Sequence, residues 1–317
     1  MNIEQIKNVA VLGLGTMGHG IAQVFAASGY TVSCYDEQLE ARQSLHDRIR
    51  QNLVDAVGAR IISKESIEPT LNRVTVFEDE QSAVGGAHFI TEAVREDLAV
   101  KQKLFARIES MVSEQTILAS NSSTFPMSQT AAEMKHPQRS IVTHWFNPPH
   151  LVPAVEVVPG PQTSEQTSEV SLSLLRRIGK LAVHVRHELP GFLVNRVQVA
   201  MLREVWDLYE RGVASAEDID AAIRGSIGFR LAAIGPLEVN DFGGLDIHST
   251  VYSNLAAEIR SDSKVPDVVG DLVGAGHFGY KTGKGFYEYT PDIAKEKRVR
   301  RDRRLLTLAR VLYSEGL

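Results

Sequence analysis

The chain has 317 residues, enough for two domains or one large one, and its 43% hydrophobic and 23% charged content is ordinary for a globular protein. A formal net charge of -5 argues against a nucleic-acid binder, and no apolar run approaches the ~20 residues of a membrane span. One cysteine, Cys34, allows no internal disulfide, the N-terminus lacks a basic leader, and the ten histidines show no metal-ligand spacing, so a cytoplasmic chain without a metal is expected.

The first forty residues carry the first strong signal. "VAVLGL" is a short, β-branched apolar run and predicts a buried strand. Gly13, Gly15 and Gly18 follow in the spacing GxGxxG, and a helical stretch runs on to Gly29. "YTVSCYD" predicts a second strand, with Cys34 as a buried, inert residue and Asp36 at its end. A bare GxGxxG is weak evidence. Between a strand and a helix, with an acid closing the next strand, it predicts a dinucleotide site. Gly13 permits the tight turn, Gly15 lets a pyrophosphate approach the backbone, and Gly18 lets the helix pack close. Thr16 and Met17, inside the fingerprint, are read as cofactor contacts with them. The helix N-terminus offers free N–H groups to the anion. Asp36 accepts from a ribose diol and, with Glu37, repels a 2′-phosphate, so NAD is expected over NADP.

Residues 38–72 are charged and helical, with a break near Gly58 and a second helix started by Ser63. Strands are predicted at 74–77, 87–94, 116–120, 139–146, 154–158 and 181–185, with helices between several of them, such as 96–112. This alternation predicts an α/β Rossmann-type, doubly wound, mainly parallel sheet over residues 1–188. From Gly191 the chain reads as almost all helix, with Ser215 and Asp218 placed as a capping box. An all-α C-terminal domain over 189–317 is expected, with more apolar surface than a small bundle needs. That surplus points to a homodimer.

Five motifs stand in order and in register: the GxGxxG fingerprint, "SNSST" at 120–124, "HWFNPP…EVV" at 144–158, "PGFLVNR" at 190–196 and "KTGKGFYEY" at 281–289. Together they resemble the 3-hydroxyacyl-CoA dehydrogenase family over roughly residues 7–289. The resemblance implies NAD-dependent oxidation of an L-3-hydroxyacyl-CoA, short in chain and 3-hydroxybutyryl-like, or the reverse reaction, within fatty acid metabolism. It implies His144 as catalytic base and Glu156 as its paired acid. Ser123 and Asn195 then donate hydrogen bonds to the substrate oxygen, and Asn147 steadies the active-site loop and the nicotinamide. Ala93, Glu96 and Lys101 line the nicotinamide side of NAD, and Lys281 lies near the cofactor. A proton must leave the hydroxyl as hydride leaves carbon, and a neutral imidazole takes it. The resulting imidazolium is costly in a dry site unless an ionised Glu156 holds the other ring nitrogen. Taken singly, a histidine in an apolar segment is more often a satisfied core residue, and an NSS run is usually a turn.

Two features depart from the CoA-using pattern. Residues 37–73 hold six basic and six acidic side chains, so this stretch has no net attraction for an anionic 3′-phospho-ADP. "NPPHLVPAVEVV" and "IGFRLAAIGPLE" are more similar to the branch of L-gulonate 3-dehydrogenase and lambda-crystallin, and to a pyridine-carboxylate dehydrogenase. A small CoA-free acid is therefore the alternative substrate, with Arg196, Arg203 or Arg230 as its cation. A third alternative is an NAD-binding protein that keeps the fold without turnover. The tail at 290–317 extends beyond the family's usual end. It predicts a helix started by Thr290 and Pro291, with Leu305, Leu306, Ala309 and Leu312 as an apolar stripe and Arg298, Arg300, Arg301, Arg303 and Arg304 as a basic face. That helix either packs on the dimer with its basic face in solvent or clamps an anion.

Overall fold

The computed structural model describes residues 2–314, with side-chain surroundings through residue 311. The chain divides into two compact units. The first runs to Asn195 and takes in the chain from Asp302 onward; the second spans Arg196–Arg301.

The first unit is built on one eight-stranded sheet in the order β3-β2-β1-β4-β5-β6-β7-β8. The strands are β1 (Asn8–Leu12), β2 (Thr31–Tyr35), β3 (Val74–Val76), β4 (Phe89–Glu92), β5 (Ile117–Ser120), β6 (Ser140–Trp145), β7 (Ala154–Val158) and β8 (Leu181–His184). Every neighbouring pair is parallel except β6 and β7, which run antiparallel. The doubly wound, mainly parallel sheet expected from the alternation is therefore present, with the one reversal where His144 and Glu156 lie.

Both faces of the sheet are covered, which is why its central strands read as continuous apolar runs rather than alternating ones. In β1, Val9 and Val11 enter one core with Ile21, Phe25, Leu45 and Trp145. Ala10 and Leu12 enter the other with Ile90, Phe105, Ile108 and Val142. The strand's two-residue period sends successive side chains to opposite layers. The covering helices include α1 (Gly18–Ala27), α2 (Leu45–Gly58), α3 (Leu98–Glu109) and α4 (Glu165–Arg177). β1 pairs with both β2 and β4, so the chain order reverses beside it. Ligands of open α/β sheets bind at that switch point, outside the carboxyl ends of the strands.

The second unit is helical. α5 (Val194–Glu210) leads into it, followed by α6 (Ala216–Ile223), a π turn (Arg224–Gly228), α7 (Pro236–Gly243), α8 (Leu245–Leu255) and α9 (Asp267–Gly274). Ser215 caps α6 through the Asp218 N–H at 3.1 Å, and donates its hydroxyl to the Asp218 carboxylate at 2.7 Å. Among the described residues of this unit only Ile219 and Pro266 are buried within one chain. α10 (Pro291–Ser314) begins at the predicted proline. Leu306 and Ala309 are buried and Leu305 half-buried, while all five predicted basic-face arginines are exposed. The Leu312 side chain lies outside the described residues.

Some local expectations differ in detail. Ser63 opens a single 3-10 turn (Lys64–Ser66) before a five-residue helix (Ile67–Leu71), which stops just ahead of the strand that begins at Val74. The compact second unit spans Arg196–Arg301, a few residues beyond the expected boundary near residue 189.

Candidate active site

The dinucleotide turn sits at the carboxyl end of β1. Gly13 has φ +88°, and a Cβ there would meet the Ala93 carbonyl at 2.6 Å. A Cβ on Gly18 would fall 1.8 Å from the Gly13 oxygen. Both glycines are therefore required by the fold itself. Gly15 is different: a Cβ there would meet nothing within 4 Å. Its face is open at the N-terminus of α1, where Met17 provides no side-chain cap. That open face leaves room for a pyrophosphate against unpaired N–H groups. The Gly15 carbonyl is held from behind by His19 Nδ1 at 2.9 Å and Arg48 Nη1 at 3.2 Å. Asp36 accepts from the Leu14 N–H at 2.6 Å and the Gln38 N–H at 2.8 Å, so its carboxylate is fixed at the end of β2. The residues present fit NAD.

His144 and Glu156 are direct cross-strand partners in the antiparallel β6–β7 pair. Opposed positions bring side chains of one face within reach. His144 Nδ1 lies 2.7 Å from Glu156 Oε2. Glu156 is wholly buried and His144 is 2% exposed. The other carboxylate oxygen, Oε1, accepts from the N–H groups of Leu193 and Val194, both at 2.9 Å. One carboxylate thus orients the imidazole and secures the start of α5. With Nδ1 engaged, Nε2 is the nitrogen left for proton transfer. The Phe146 and Phe192 rings stand 4.5 Å and 5.5 Å from the imidazole and exclude water from it. Phe192 does so at φ +52°, a left-handed backbone position unusual for an aromatic residue.

Ser123 belongs to a loop that Glu96 gathers. Glu96 Oε1 accepts from the Ser122 hydroxyl at 2.7 Å and from the backbone N–H of Ser123 and Thr124 at 2.8 and 3.1 Å. Burial opposes the Glu96 charge. The Ser122 bond, the Lys101 ammonium at 3.2 Å and the Ser123 N–H outweigh it and hold the carboxyl below its usual range. Asn195 Nδ2 donates to the Ser123 carbonyl at 2.9 Å. Ser123 and Asn195, 72 residues apart in sequence, are thus brought together.

Lys101 is turned inward. It is 1% exposed and pairs with Glu92 at 2.7 Å as well as with Glu96. Glu92, wholly buried, also accepts from the Ser120 hydroxyl at 2.7 Å and the Val94 N–H at 2.8 Å. Ala93 follows it directly, and its N–H bonds the Leu12 carbonyl at 2.7 Å, which sets the loop against the dinucleotide turn. Lys281 lies in the second unit and is exposed.

The segment between the paired strands is anchored at several points. The Asn147–Pro148 bond is cis, and Leu151 and Val152 donate back to the Pro148 carbonyl. Lys180 is 7% exposed and donates to the carbonyls of Pro149 at 2.7 Å and Val152 at 2.8 Å. Burial pushes its ammonium down to about 8. Pro149 and His150 also lie against Gly20 of α1, where a Cβ would meet the Pro149 ring at 2.7 Å. Lys180, Glu92 and Arg48 carry no motif in the sequence: Lys180 and Arg48 donate to backbone carbonyls, and Glu92 accepts from Lys101, Ser120 and the Val94 N–H.

Comparison with known proteins identifies the family. Residues 8–188 match the model of the 3-hydroxyacyl-CoA dehydrogenase NAD binding domain, and residues 191–289 match that of the family's C-terminal domain. The chain is similar to 5-formyl-3-hydroxy-2-methylpyridine 4-carboxylate 5-dehydrogenase of Mesorhizobium japonicum, with 36% identity covering 97% of this chain and 98% of that one. It is also similar to human mitochondrial hydroxyacyl-coenzyme A dehydrogenase, with 35% identity over 90% and 91% of the two chains. A crystal structure of an NAD+-dependent 5-formyl-3-hydroxy-2-methylpyridine 4-carboxylic acid 5-dehydrogenase superposes with a TM-score of 0.90, at 36% identity, covering 98% of this chain and 99% of that one. With a dinucleotide cradle, a buried imidazole–carboxylate pair and both domain models matched, the chain belongs to the 3-hydroxyacyl-CoA dehydrogenase family of NAD-dependent oxidoreductases.

Proposed function

We propose that this chain oxidises a hydroxyl or hydrated aldehyde of a small free carboxylic acid, using NAD and no coenzyme A. One observation carries the choice of a free acid. Four of the six basic side chains in residues 37–73 are already engaged within the fold. Arg42 donates to the Asp36 carbonyl, Arg48 to those of Gly15 and Ala41, and Arg73 to that of Pro69, while Arg50 pairs with Glu68. A 3′-phospho-ADP group placed there meets no cluster of free cations. The full-length similarity to a pyridine-carboxylate dehydrogenase supports the same reading. The second reading, a short L-3-hydroxyacyl-CoA, is supported by the similarity to hydroxyacyl-coenzyme A dehydrogenases over 90% of the chain.

When bound, NAD supplies a hydride acceptor. The chain's own groups do the rest. His144, neutral at the start, takes the hydroxyl proton on Nε2. Glu156 stays ionised and stabilises the imidazolium that forms. Ser123 and Asn195 stand ready to donate to the substrate oxygen, where each such donor is worth roughly 10²–10³ in rate. The phenyl rings over the imidazole keep the medium dry and strengthen both interactions. Glu96 and Lys101 act through the loop they fix, and Asn147 and Lys281 remain assigned to the cofactor by resemblance.

The helical unit supports a homodimer. Phe229, Leu237, Phe242 and Tyr252 are each more than 70% exposed in one chain. Apolar surface of this extent is normally covered by a partner, and a second copy is the simplest one. A reducing, cytoplasmic setting fits the wholly buried Cys34, whose thiol burial pushes up.

Titration with coenzyme A tests the free-acid reading. Dissociation constants weaker than the millimolar range, for both coenzyme A and acetyl-CoA, are expected. Micromolar binding of either overturns it in favour of the thioester.

A further inference from the structure

The Gly15 carbonyl is an acceptor that helix α1 does not use. The first bonds of that helix run from the Gly20 and Ile21 N–H groups to the Met17 carbonyl, and none reaches back to Gly15. Two side chains take the carbonyl instead: His19 Nδ1 at 2.9 Å and Arg48 Nη1 at 3.2 Å. They come from different elements, His19 from the first turn of α1 and Arg48 from α2. The Arg48 guanidinium is itself fixed, because its Nη2 donates to the Ala41 carbonyl at 2.9 Å. The imidazole is flanked by the segment between β6 and β7: the His150 ring stands 6.3 Å from His19, and Pro149 lies against Gly20.

A trans peptide points its C=O and the following N–H in opposite directions. With the Gly15 carbonyl drawn toward His19 and Arg48, the Thr16 N–H is turned away from both. That N–H meets no acceptor among the described residues, and a Cβ on Gly15 would meet nothing within 4 Å, so the turn is open there. Glycine's wide choice of φ and ψ would otherwise let this peptide turn over, and the carbonyl would then face an incoming anion. The two donors remove that alternative. Because a carbonyl only accepts, Nδ1 carries the ring proton. Burial outweighs the Gly15 bond and holds His19 below its ordinary range, so the ring is a neutral donor at pH 7. Burial also works against the Arg48 charge and the Asp36 carboxylate works for it, and a guanidinium remains protonated in either case.

We propose that His19 and Arg48 are positioning residues for the pyrophosphate of NAD. Together they hold the Gly15 carbonyl to the rear of the turn and so aim the Thr16 N–H at the anion, and Arg48 adds a positive charge behind that peptide. The role concerns the cofactor alone and holds whether a free acid or a thioester is oxidised.

The test is equilibrium binding of ADP-ribose, which carries the pyrophosphate, beside adenosine, which lacks it, each read by displacement of NADH fluorescence from the full chain. His19→Leu removes a neutral donor and is expected to weaken ADP-ribose by roughly 3- to 10-fold. Arg48→Met removes a charged donor and is expected to weaken it by roughly 10- to 100-fold. Adenosine affinity should stay within twofold of wild type in both. His19→Gln, which keeps an N–H donor, and Arg48→Lys, which keeps the charge, are expected to recover most of the loss. A general loosening of the turn would weaken adenosine as much as ADP-ribose, and that result overturns the proposal. ADP-ribose affinity within twofold of wild type in both His19→Leu and Arg48→Met also overturns it, as does a loss in His19→Gln and Arg48→Lys equal to that in the apolar variants. Thermal unfolding of each variant verifies the fold, and the two conservative variants carry the test if an apolar one does not fold. ADP-ribose has no nicotinamide, so no turnover enters the measurement.

Discussion

Replacing Glu156 by glutamine keeps the size of the side chain and removes its charge. In the native protein this carboxylate takes three bonds: His144 Nδ1 at 2.7 Å and the N–H groups of Leu193 and Val194 at 2.9 Å each. A carboxylate accepts on both oxygens, whereas an amide accepts on one and donates on the other. The two backbone donors converge on one oxygen and will hold the amide oxygen there. The amide NH₂ then faces His144 Nδ1, which must accept. The imidazole is driven to the tautomer with its proton on Nε2, and the nitrogen needed as base is already protonated. Loss of a positioned base costs roughly 10²–10⁴ in turnover. Folding loses the charge-assisted part of these bonds, about 1–3 kcal/mol. The assay is initial-rate NADH formation against pH, with NAD binding and thermal unfolding on the same samples. Turnover should fall by at least 10², with NAD affinity unchanged because the dinucleotide turn lies on other strands. His144→Ala added to this variant should cost little more, since the two residues act as one unit. Turnover within threefold of wild type would refute the assigned pair.

Lys101→Met leaves the wholly buried Glu92 without its cation. Breaking a buried pair costs about 3–5 kcal/mol, to be read by denaturant unfolding, with NAD affinity falling as the Ser122–Thr124 loop loosens. Gly18→Ala puts a methyl 1.8 Å from the Gly13 oxygen, so loss of NAD binding and about 1–3 kcal/mol of stability are expected by titration and melting; unchanged binding would contradict the close helix–strand contact. For Lys180→Met the readout is the pH dependence of stability. Burial lowers the folded-state lysine to about 8 from its ordinary value of 10.5, so between those values the unfolded chain binds the extra proton. Wild type should therefore gain stability over the variant as pH rises from about 8 toward 10, by on the order of 3 kcal/mol at most. A flat difference across that window would show that the ammonium is not desolvated.

Much of the dinucleotide site is legible in the sequence because its causes are local. Gly13 and Gly18 are demanded by backbone atoms a few residues away or on the next strand, and Asp36 closes a strand of obvious pattern. The pairing of His144 with Glu156 enters through the family resemblance, and the fold realises it because β6 and β7 are antiparallel neighbours in which opposed residues on one face meet. The surroundings of that pair are not legible. Glu156 also holds the first N–H groups of α5, nearly forty residues on, and backbone donors leave no mark in a sequence. Lys180 grips two carbonyls about thirty residues earlier, and no sequence motif marks such a contact. The resemblance puts Lys101 on the nicotinamide side of NAD, and nothing in the sequence shows that its ammonium also lies between two acids that only the folded sheet brings together. The helical unit shows the reverse case. Its surplus of apolar residues is plain in the sequence, and within one chain they remain exposed.

The most direct test is initial-rate NADH formation by the purified full chain with small hydroxy- and formyl-carboxylic acids, beside 3-hydroxybutyryl-CoA at matched concentration. Turnover of a free acid with no rate on the thioester is expected. Turnover of the thioester alone would contradict the free-acid assignment while leaving the NAD, His144 and Glu156 chemistry in place.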